Sequence, residues 1–565
     1  MLRTMKRIEC HRFALLRALL LLATSLSETH SFVLPKKNRY RSADAILRAT
    51  PARDPTEEEE TPKNRGKRMV KHLWSNIQSF LWPGVTVDPN FSEPLPKGSL
   101  GCPFFGSDSF ISGNKKDGPG CFFKQASARA GHPQFYKLYF MGNPVVSVSG
   151  GKQYQKISAL EFSHTEALSP TYNDGKGAEP EDVPNVFGND NLNFERDKEK
   201  HALLRRLVGS GMTASEVRKS FPVIQQMAQE RIQSMLEKSG ENPNDPIIME
   251  NICAEYTMDI TQAQILGLQL PHEEVSFFRE KLTLWLKALY SPIANLNIPW
   301  IIKHIPEYKA RKYIEAKIRE RIDYLLEHGP DASVLSNMVF AVDEEQGIKL
   351  SRKQIVENAL LLTITGSETS SGTLTLMMFL LGLHPEKYQM LVDEQKQAQK
   401  KCGQQLTPDI LDNHCPYLNA VLKETMRMGP LTGGFPKRAT RTFTIDGVQI
   451  PKGWSIFNNI RLTHQLDPVS RLPDDSHMDP HNGFHPERWF SEDTTPSDYI
   501  PFGSGPRYCI GACAATLQMQ VFLATLARSV ESFALERDHN PIVWNPSTLI
   551  PRPLDGVAIN AVEPF

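Results

Sequence analysis

The ten residues "FGSGPRYCIG", Phe502 to Gly511, hold one cysteine, Cys509, among three glycines and run into an Ala-rich helical stretch, "GACAATLQMQVFLATLARSV". A thiolate is the ligating form of cysteine, and N–H groups and a helix N-terminus stabilise it. It is a soft ligand suited to haem iron, where it pushes electron density that favours O–O cleavage. Gly503, Gly505 and Gly511 would let the backbone turn under a flat ring and approach it closely. Arg507, two residues before the sulfur, is spaced to reach a propionate, and Phe502 to shield the sulfur from water. Each residue alone has a plain reading as a turn, core or small buried hydrophobe; their joint spacing favours the ligand. Cys509 and Cys513 stand four apart without the second Cys or His pair that zinc requires.

A second candidate lies in "SRKQIVENALLLTITGSETSSGTLTLMMFLLGLHPEK". Ser351 is placed to cap a helix and His384-Pro385 to stop it. The run between them spans about 48 Å at 1.5 Å per residue. Its flanks are apolar, but its centre is "TGSETSSG", Thr365 to Gly372. A buried helix carries an acid and several hydroxyls at its middle only if they have partners or a task. Gly366 and Gly372 weaken the helix there by about 1 kcal/mol each, and a local widening of the turn is expected. Glu368 argues against reading the run as a membrane span.

Two further pairs contribute charge. In "PYLNAVLKETMRMGP", Glu424 and Arg427 share one helix face. "FHPERW" adds Arg488, and a buried carboxylate held by two guanidiniums is a strong arrangement. In "EKHALLRRL", His201 and Arg205 stand at i,i+4, ordinarily a solvated face unless an anionic cofactor lies beside it.

The elements that must position these residues are mostly helical. The 565-residue chain is 40% apolar, enough for a sizeable core, and its 64 basic and 64 acidic residues balance. That balance argues against a nucleic-acid partner. From about Ser215 helical periodicity dominates, with a break at Pro222. Strand signals are few: "KLYFMGNPVVSVSG" and "TFTIDGVQIPKG", the latter turning at Asp446-Gly447. The chain reads as one large, mainly α domain with a small β component, residues 69–565. "PLPKGSLGCPFFG", Pro94 to Gly106, would dock onto it.

Residues 1–31 are signal-like: a basic start, then "FALLRALLLLATSL", shorter than the ~20 apolar residues a membrane span needs. Residues 32–68 begin with a basic, acid-poor, transit-like stretch and end in a charged, Pro-rich linker. The two parts resemble a two-part plastid presequence; the other reading is a membrane anchor with a basic flank.

Phe502, Gly505, Arg507, Cys509 and Gly511 match F-x-x-G-x-R-x-C-x-G, the signature of the cytochrome P450 family, which the chain resembles over roughly residues 95–565. Glu424 and Arg427 are similar to its ExxR motif, "PERW" to its PERF-type motif, "TGSETS" to its oxygen-activation motif and "HALLR" to its W/H-x-x-x-R segment. The resemblance implies haem b between the long central helix and the cysteine-loop helix. Cys509 would be the proximal ligand, with His201, Arg205 and Arg507 on the propionates. Thr369 would hydrogen-bond the bound O2, Glu368 would help relay protons, and Glu424, Arg427 and Arg488 would lock the core. Thr365 stands where the family usually has Ala or Gly, and His201 where it often has Trp.

The region Gly433 to Trp454 resembles the branch that holds retinoid, steroid and terpenoid hydroxylases, which implies a large apolar isoprenoid substrate. By family position the pocket would draw on Leu361 to Thr369, Gly433 to Lys437 and "STLIP" near Leu549. "TYNDGKGAEPEDVPNVFGNDNLNF" would be a lid. Only 54 residues follow Gly511, with no flavin or nicotinamide fingerprint, so an external donor is expected: ferredoxin in a plastid, a diflavin reductase at the endoplasmic reticulum, there with peripheral membrane contact. The competing readings are a haem-thiolate isomerase or dehydratase acting on lipid hydroperoxides without external electrons, and a non-catalytic haem or lipid-binding protein.

Overall fold

Ser351 does cap the polar-centred helix: its hydroxyl accepts from Gln354 N while the Gln354 side chain accepts from Ser351 N. This reciprocal cap satisfies two of the N–H groups a helix start leaves open. The helix runs Arg352–Leu383 and ends at His384-Pro385, as the sequence predicts. The computed structural model describes residues 85, 87–100, 121–140, 143–167, 188, 190–241, 245–290, 299–430, 434–545 and 551–565. The presequence reading of residues 1–68 lies outside these, as do all of the "STLIP" segment but Pro551 and most of the expected lid.

Six helices position the site: α1 (Gly151–Ala159), α2 (Lys198–Gly209), α3 (Met249–Ile260), α4 (Arg352–Leu383), α5 (Pro416–Met428) and α6 (Ala512–Ser529). The helix break falls at Ser220, between Ala214–Lys219 and Phe221–Glu241, and the expected breaker Pro222 sits in the first turn of the second helix. The strands are β1 (Phe135–Phe140), β2 (Asn143–Val148), β3 (Thr165–Ala167), β4 (Ile247–Ile248), β5 (Gly434–Ala439), β6 (Phe443–Ile445), β7 (Val448–Ile450), β8 (Ser455–Asn459), β9 (Val530–Leu535) and β10 (Ala558–Pro564). One sheet has the order β1-β2-β8-β5-β3, a second β4-β10-β9, and β6-β7 is a hairpin. In the first sheet β2 and β8 pair parallel, and the other neighbours antiparallel. At the β6–β7 turn both Asp446 (φ 46°) and Gly447 (φ 77°) are left-handed, the geometry that matches strand twist. The docking segment does meet the sheet where it is described: Lys97 bridges Tyr136, and Gln449 N donates to Pro94 O.

Helix α4 joins two apolar cores. Its first half, from Ile355 to Ile364, packs among helices His272–Leu286 and Pro306–His328. Its second half, from Leu374 to Leu381, packs among Phe221–Glu241, α5 and α6. The polar centre falls between them. There the hydroxyls satisfy themselves on i−4 carbonyls: Thr363 on Ala359 O, Ser367 on Thr363 O, Thr369 on Thr365 O and Thr373 on Thr369 O. The expected widening of the turn is absent, and α4 stays α-helical throughout. The π-helical turn lies across from it instead, at Thr261–Ile265 following α3. Gly366 makes room for this turn: a Cβ there would stand 3.0 Å from Ile265 Cδ1. Thr261 Oγ1 also meets Ser367 Oγ at 3.0 Å.

Candidate active site

Thr365, Gly366 and Thr369 of α4 face Phe502, Cys509 and Ala514 across a cavity of about 310 Å³. His201, Arg205 and Arg507 also line it. The structure thus brings together every predicted site residue except Glu368, which does not line the cavity although its neighbour Thr369 does.

The cysteine loop is held before α6 begins. Cys509 N donates to Phe502 O (3.0 Å) and Tyr508 N to Gly505 O (3.0 Å). Cys509 opens onto the cavity, and desolvation by the surrounding protein pushes its thiol up, opposed by the Gly511 N–H and by Arg205. Ligation of an iron by Cys509 would reverse that balance, because a coordinated thiol is deprotonated outright. Two glycines act differently from expectation. Gly503 (φ 75°) and Gly505 (φ 71°) turn the loop against α1, where a Cβ would meet Tyr154 Oη and Ser158 Cβ at 3.0 Å. Gly511 alone leaves open space, with nothing within 4 Å of where a Cβ would stand.

The three basic residues are not equivalent. Arg205 makes no ion pair or hydrogen bond among the described residues, although it is half-buried beside the cavity. His201 is 3% exposed and rests against the Phe162 ring. Burial, helped by Arg507 and Arg205, lowers its pKa to about 4, so it is neutral at pH 7 and offers an N–H rather than a charge. Arg507 is largely committed: Nε donates to Glu161 Oε1 (2.5 Å), Nη1 to Leu192 O and Asn193 O, and Nη2 to Glu195 O. Its first task is to clamp the loop, with little donor capacity left for a propionate.

Glu161 and Lys437 form a buried ion pair at the cavity edge that the motifs do not reveal. Glu161 is fully buried in its side chain and pairs Lys437 Nζ at 2.7 Å as well as Arg507. Burial alone would raise its carboxyl, but Lys437 and Arg507 more than offset this and hold it below the usual range. Lys437, on β5, lines the cavity; it fell inside the expected pocket region but without a role. Leu361, Leu362 and the end of the lid segment, Leu192 and Asn193, also line the cavity.

Behind the cysteine loop the expected carboxylate cluster is present. Glu424 and Arg427 are both fully buried. Arg427 Nε and Nη2 each reach Glu424 at 2.9 Å, and Arg488 Nε reaches it at 2.9 Å. His485 N and Trp489 Nε1 complete the shell. Five donors on two oxygens explain how an ionised carboxyl survives burial: the Glu424 pKa lies below its usual value although desolvation pushes the other way.

Taken together, the cavity offers a sulfur ligand, an unpaired guanidinium, a neutral imidazole N–H and a bare glycine face. These fit a flat, anionic iron porphyrin ligated by Cys509. The sequence profile described as Cytochrome P450 matches residues 96–554. Curated relatives include Cytochrome P450 26A1 of Danio rerio, 27% identical over 462 residues, covering 78% of this chain and 86% of that protein. Another is Cytochrome P450 26B1 of Mus musculus, 26% identical over 502 residues, covering 86% and 90%. A solved structure described as retinoic acid bound cyanobacterial CYP120A1 shares the fold, with TM-score 0.67 and 23% identity over 84% of this chain and 100% of that one. With the signature, the cavity and the profile in agreement, the chain belongs to the cytochrome P450 family, as a haem b monooxygenase that draws electrons from a redox partner.

Proposed function

We propose that the protein hydroxylates or epoxidises a large apolar isoprenoid of the retinoid, carotenoid or sterol kind. The observation that carries this is the cavity itself: Thr369 and Cys509 face one space whose walls include Ile224, Ile265, Leu361 and Leu362. The retinoic acid in the solved structural relative supports the same substrate class. Haem b, when bound, supplies the activation of O2 and the insertion of one oxygen atom. The chain's residues do the rest. Cys509 ligates, Arg205 and His201 hold the acidic edge, and the apolar wall excludes water and orients the substrate. The Thr369 hydroxyl donates to Thr365 O, which leaves its lone pairs free to accept a proton from Glu368 as its own moves into the cavity.

We also infer a P450 domain over residues 69–565 behind a two-part segment, 1–31 and 32–68. The relatives lend no support to the plastid reading of that segment. The donor, ferredoxin or a diflavin reductase, follows from where the segment leads.

The test is the absorption spectrum of the full chain loaded with haem, reduced and exposed to carbon monoxide, before and after retinoids, carotenoids and sterols are added. A strongly red-shifted Soret band that Cys509→Ala abolishes, and a low-to-high-spin shift with one lipid class, are expected. No spin shift with any isoprenoid would overturn the substrate class.

A further inference from the structure

Glu368 points away from the cavity and toward the C-terminal stretch 551–565. Its Oε1 lies 3.3 Å from Arg552 Nη2, and the same nitrogen lies 3.2 Å from Glu250 Oε1. One guanidinium therefore joins two carboxylates from different helices. Side-chain exposure rises from 8% at Arg552 to 18% at Glu368 and 28% at Glu250, so Glu250 is the outermost member. The Arg552 Nε–H is buried and has no partner among the described residues.

Glu250 is held in place rather than loosely exposed. It sits in the first turn of α3, where the helix dipole favours an acid. Met249 N and Glu250 N donate to Val557 O and Gly556 O, both at 3.0 Å. Gly556 (φ 71°) passes so close that a Cβ would meet Glu250 Oε2 at 2.9 Å. The two carboxylates thus share one cation. Burial raises the Glu250 carboxyl; Arg552 opposes this, and Glu368 and Asp555 add to it. Asp555 is itself paired with Arg537 and faces His539.

We propose that Glu250, Arg552 and Glu368 form the path by which protons reach Thr369 from the surface beside the N-terminus of α3. Arg552 is the positioning residue that keeps the two carboxylates within one guanidinium. This rests on the reading of Glu368 and Thr369 given above. A water between the two carboxylates takes the proton as the O–H bond on Glu250 breaks and gives one of its own to Glu368, and Glu250 regains a proton from the solvent outside. Glu368 then turns about its side-chain bonds and gives that proton to Thr369 Oγ1, which releases its own into the cavity. One proton moves inward per pass, and no electrons move with it.

The test uses the full chain loaded with haem, reduced chemically and mixed with O2, in H2O and in D2O. No redox partner or substrate is needed. The readouts are the rate of return to the oxidised spectrum and its H2O/D2O ratio. Glu250→Gln and Arg552→Met are expected to keep the reduced–carbon monoxide band, slow the return severalfold and raise the isotope ratio. Arg552→Lys should recover part of the loss, since lysine keeps the charge but not the fork. Glu368→Gln should slow it by about a hundredfold. An infrared pH titration gives a second readout: a carboxyl band absent in Glu250→Gln should titrate at higher pH in Arg552→Met. Wild-type behaviour of Glu250→Gln with a slow Glu368→Gln would overturn the proposal and leave the role of Glu368 standing. If Glu368→Gln itself returns at the wild-type rate, the underlying reading of Glu368 falls. Should Arg552→Met not fold, Glu250→Gln, at the exposed end, decides alone.

Discussion

Arg507 Nε lies 2.5 Å from Glu161 Oε1 across a sequence separation of 346 residues, and this pair fixes where the cysteine loop sits. The second oxygen of Glu161 is taken by Lys437. Removing the carboxylate would leave two buried cations facing each other. Breaking a buried pair by deleting one partner costs about 3–5 kcal/mol. Glu161→Ala is expected to lose that much stability in urea unfolding and to shed haem. A change within about 1 kcal/mol, the range of an exposed pair, would show that the cluster is solvated in solution.

Arg205 is expected to matter through cofactor retention. It is the cavity cation with no ion-pair partner among the described residues, whereas Arg507 and Lys437 already serve Glu161. A hydrogen bond to a charged group contributes about 1.5–3 kcal/mol, so Arg205→Leu should speed haem loss to a haem-scavenging protein by about tenfold or more. His201→Phe, which removes a neutral N–H only, should have the smaller effect. Equal effects would mean that His201 carries charge when the cofactor is bound.

His464 sets an acid limit on stability. Its Nε2 accepts from Ile500 N (3.0 Å), so Nδ1 must carry the proton that it donates to Arg427 O (3.1 Å). Protonation would destroy the acceptor. Burial accordingly lowers its pKa from 6.5 to about 4. A histidine with a depressed folded-state pKa contributes stability that is full above about pH 6.5 and is lost as pH falls toward 4. The loss is at most roughly 3 kcal/mol, and His201 adds in the same direction. Urea midpoints taken between pH 7.5 and 4.5 should fall for the wild type and fall less for His464→Gln. Parallel slopes would assign the acid sensitivity elsewhere.

What could be read from the chain was whatever is written as spacing. The Cys509 loop, the Glu424–Arg427 face and the α4 centre are each encoded within a dozen residues. Their partners are not. Glu161 with Lys437, Glu424 with Trp489, and Glu368 with Arg552 join segments that no periodicity links. The loop contacts of Arg507 were hidden for the same reason: its partners come from α1's end and the segment before α2. The expected bulge in α4 also failed on a distant partner, because the accommodating turn belongs to the stretch after α3.

The parallel pairing of β2 with β8 has a consequence for how the chain is made. β2 (Asn143–Val148) leaves the ribosome about 300 residues before Ser455 of β8 exists. At roughly 5–20 residues per second that is on the order of 15–60 s. Until Ser455 is made, the Val145-Val146 edge has β1 to pair with on one side and no β8 on the other. An open, apolar edge is a template for other chains, so nascent protein stalled before β8 should be a chaperone client, and truncation ahead of Ser455 should yield aggregates rather than a smaller folded unit.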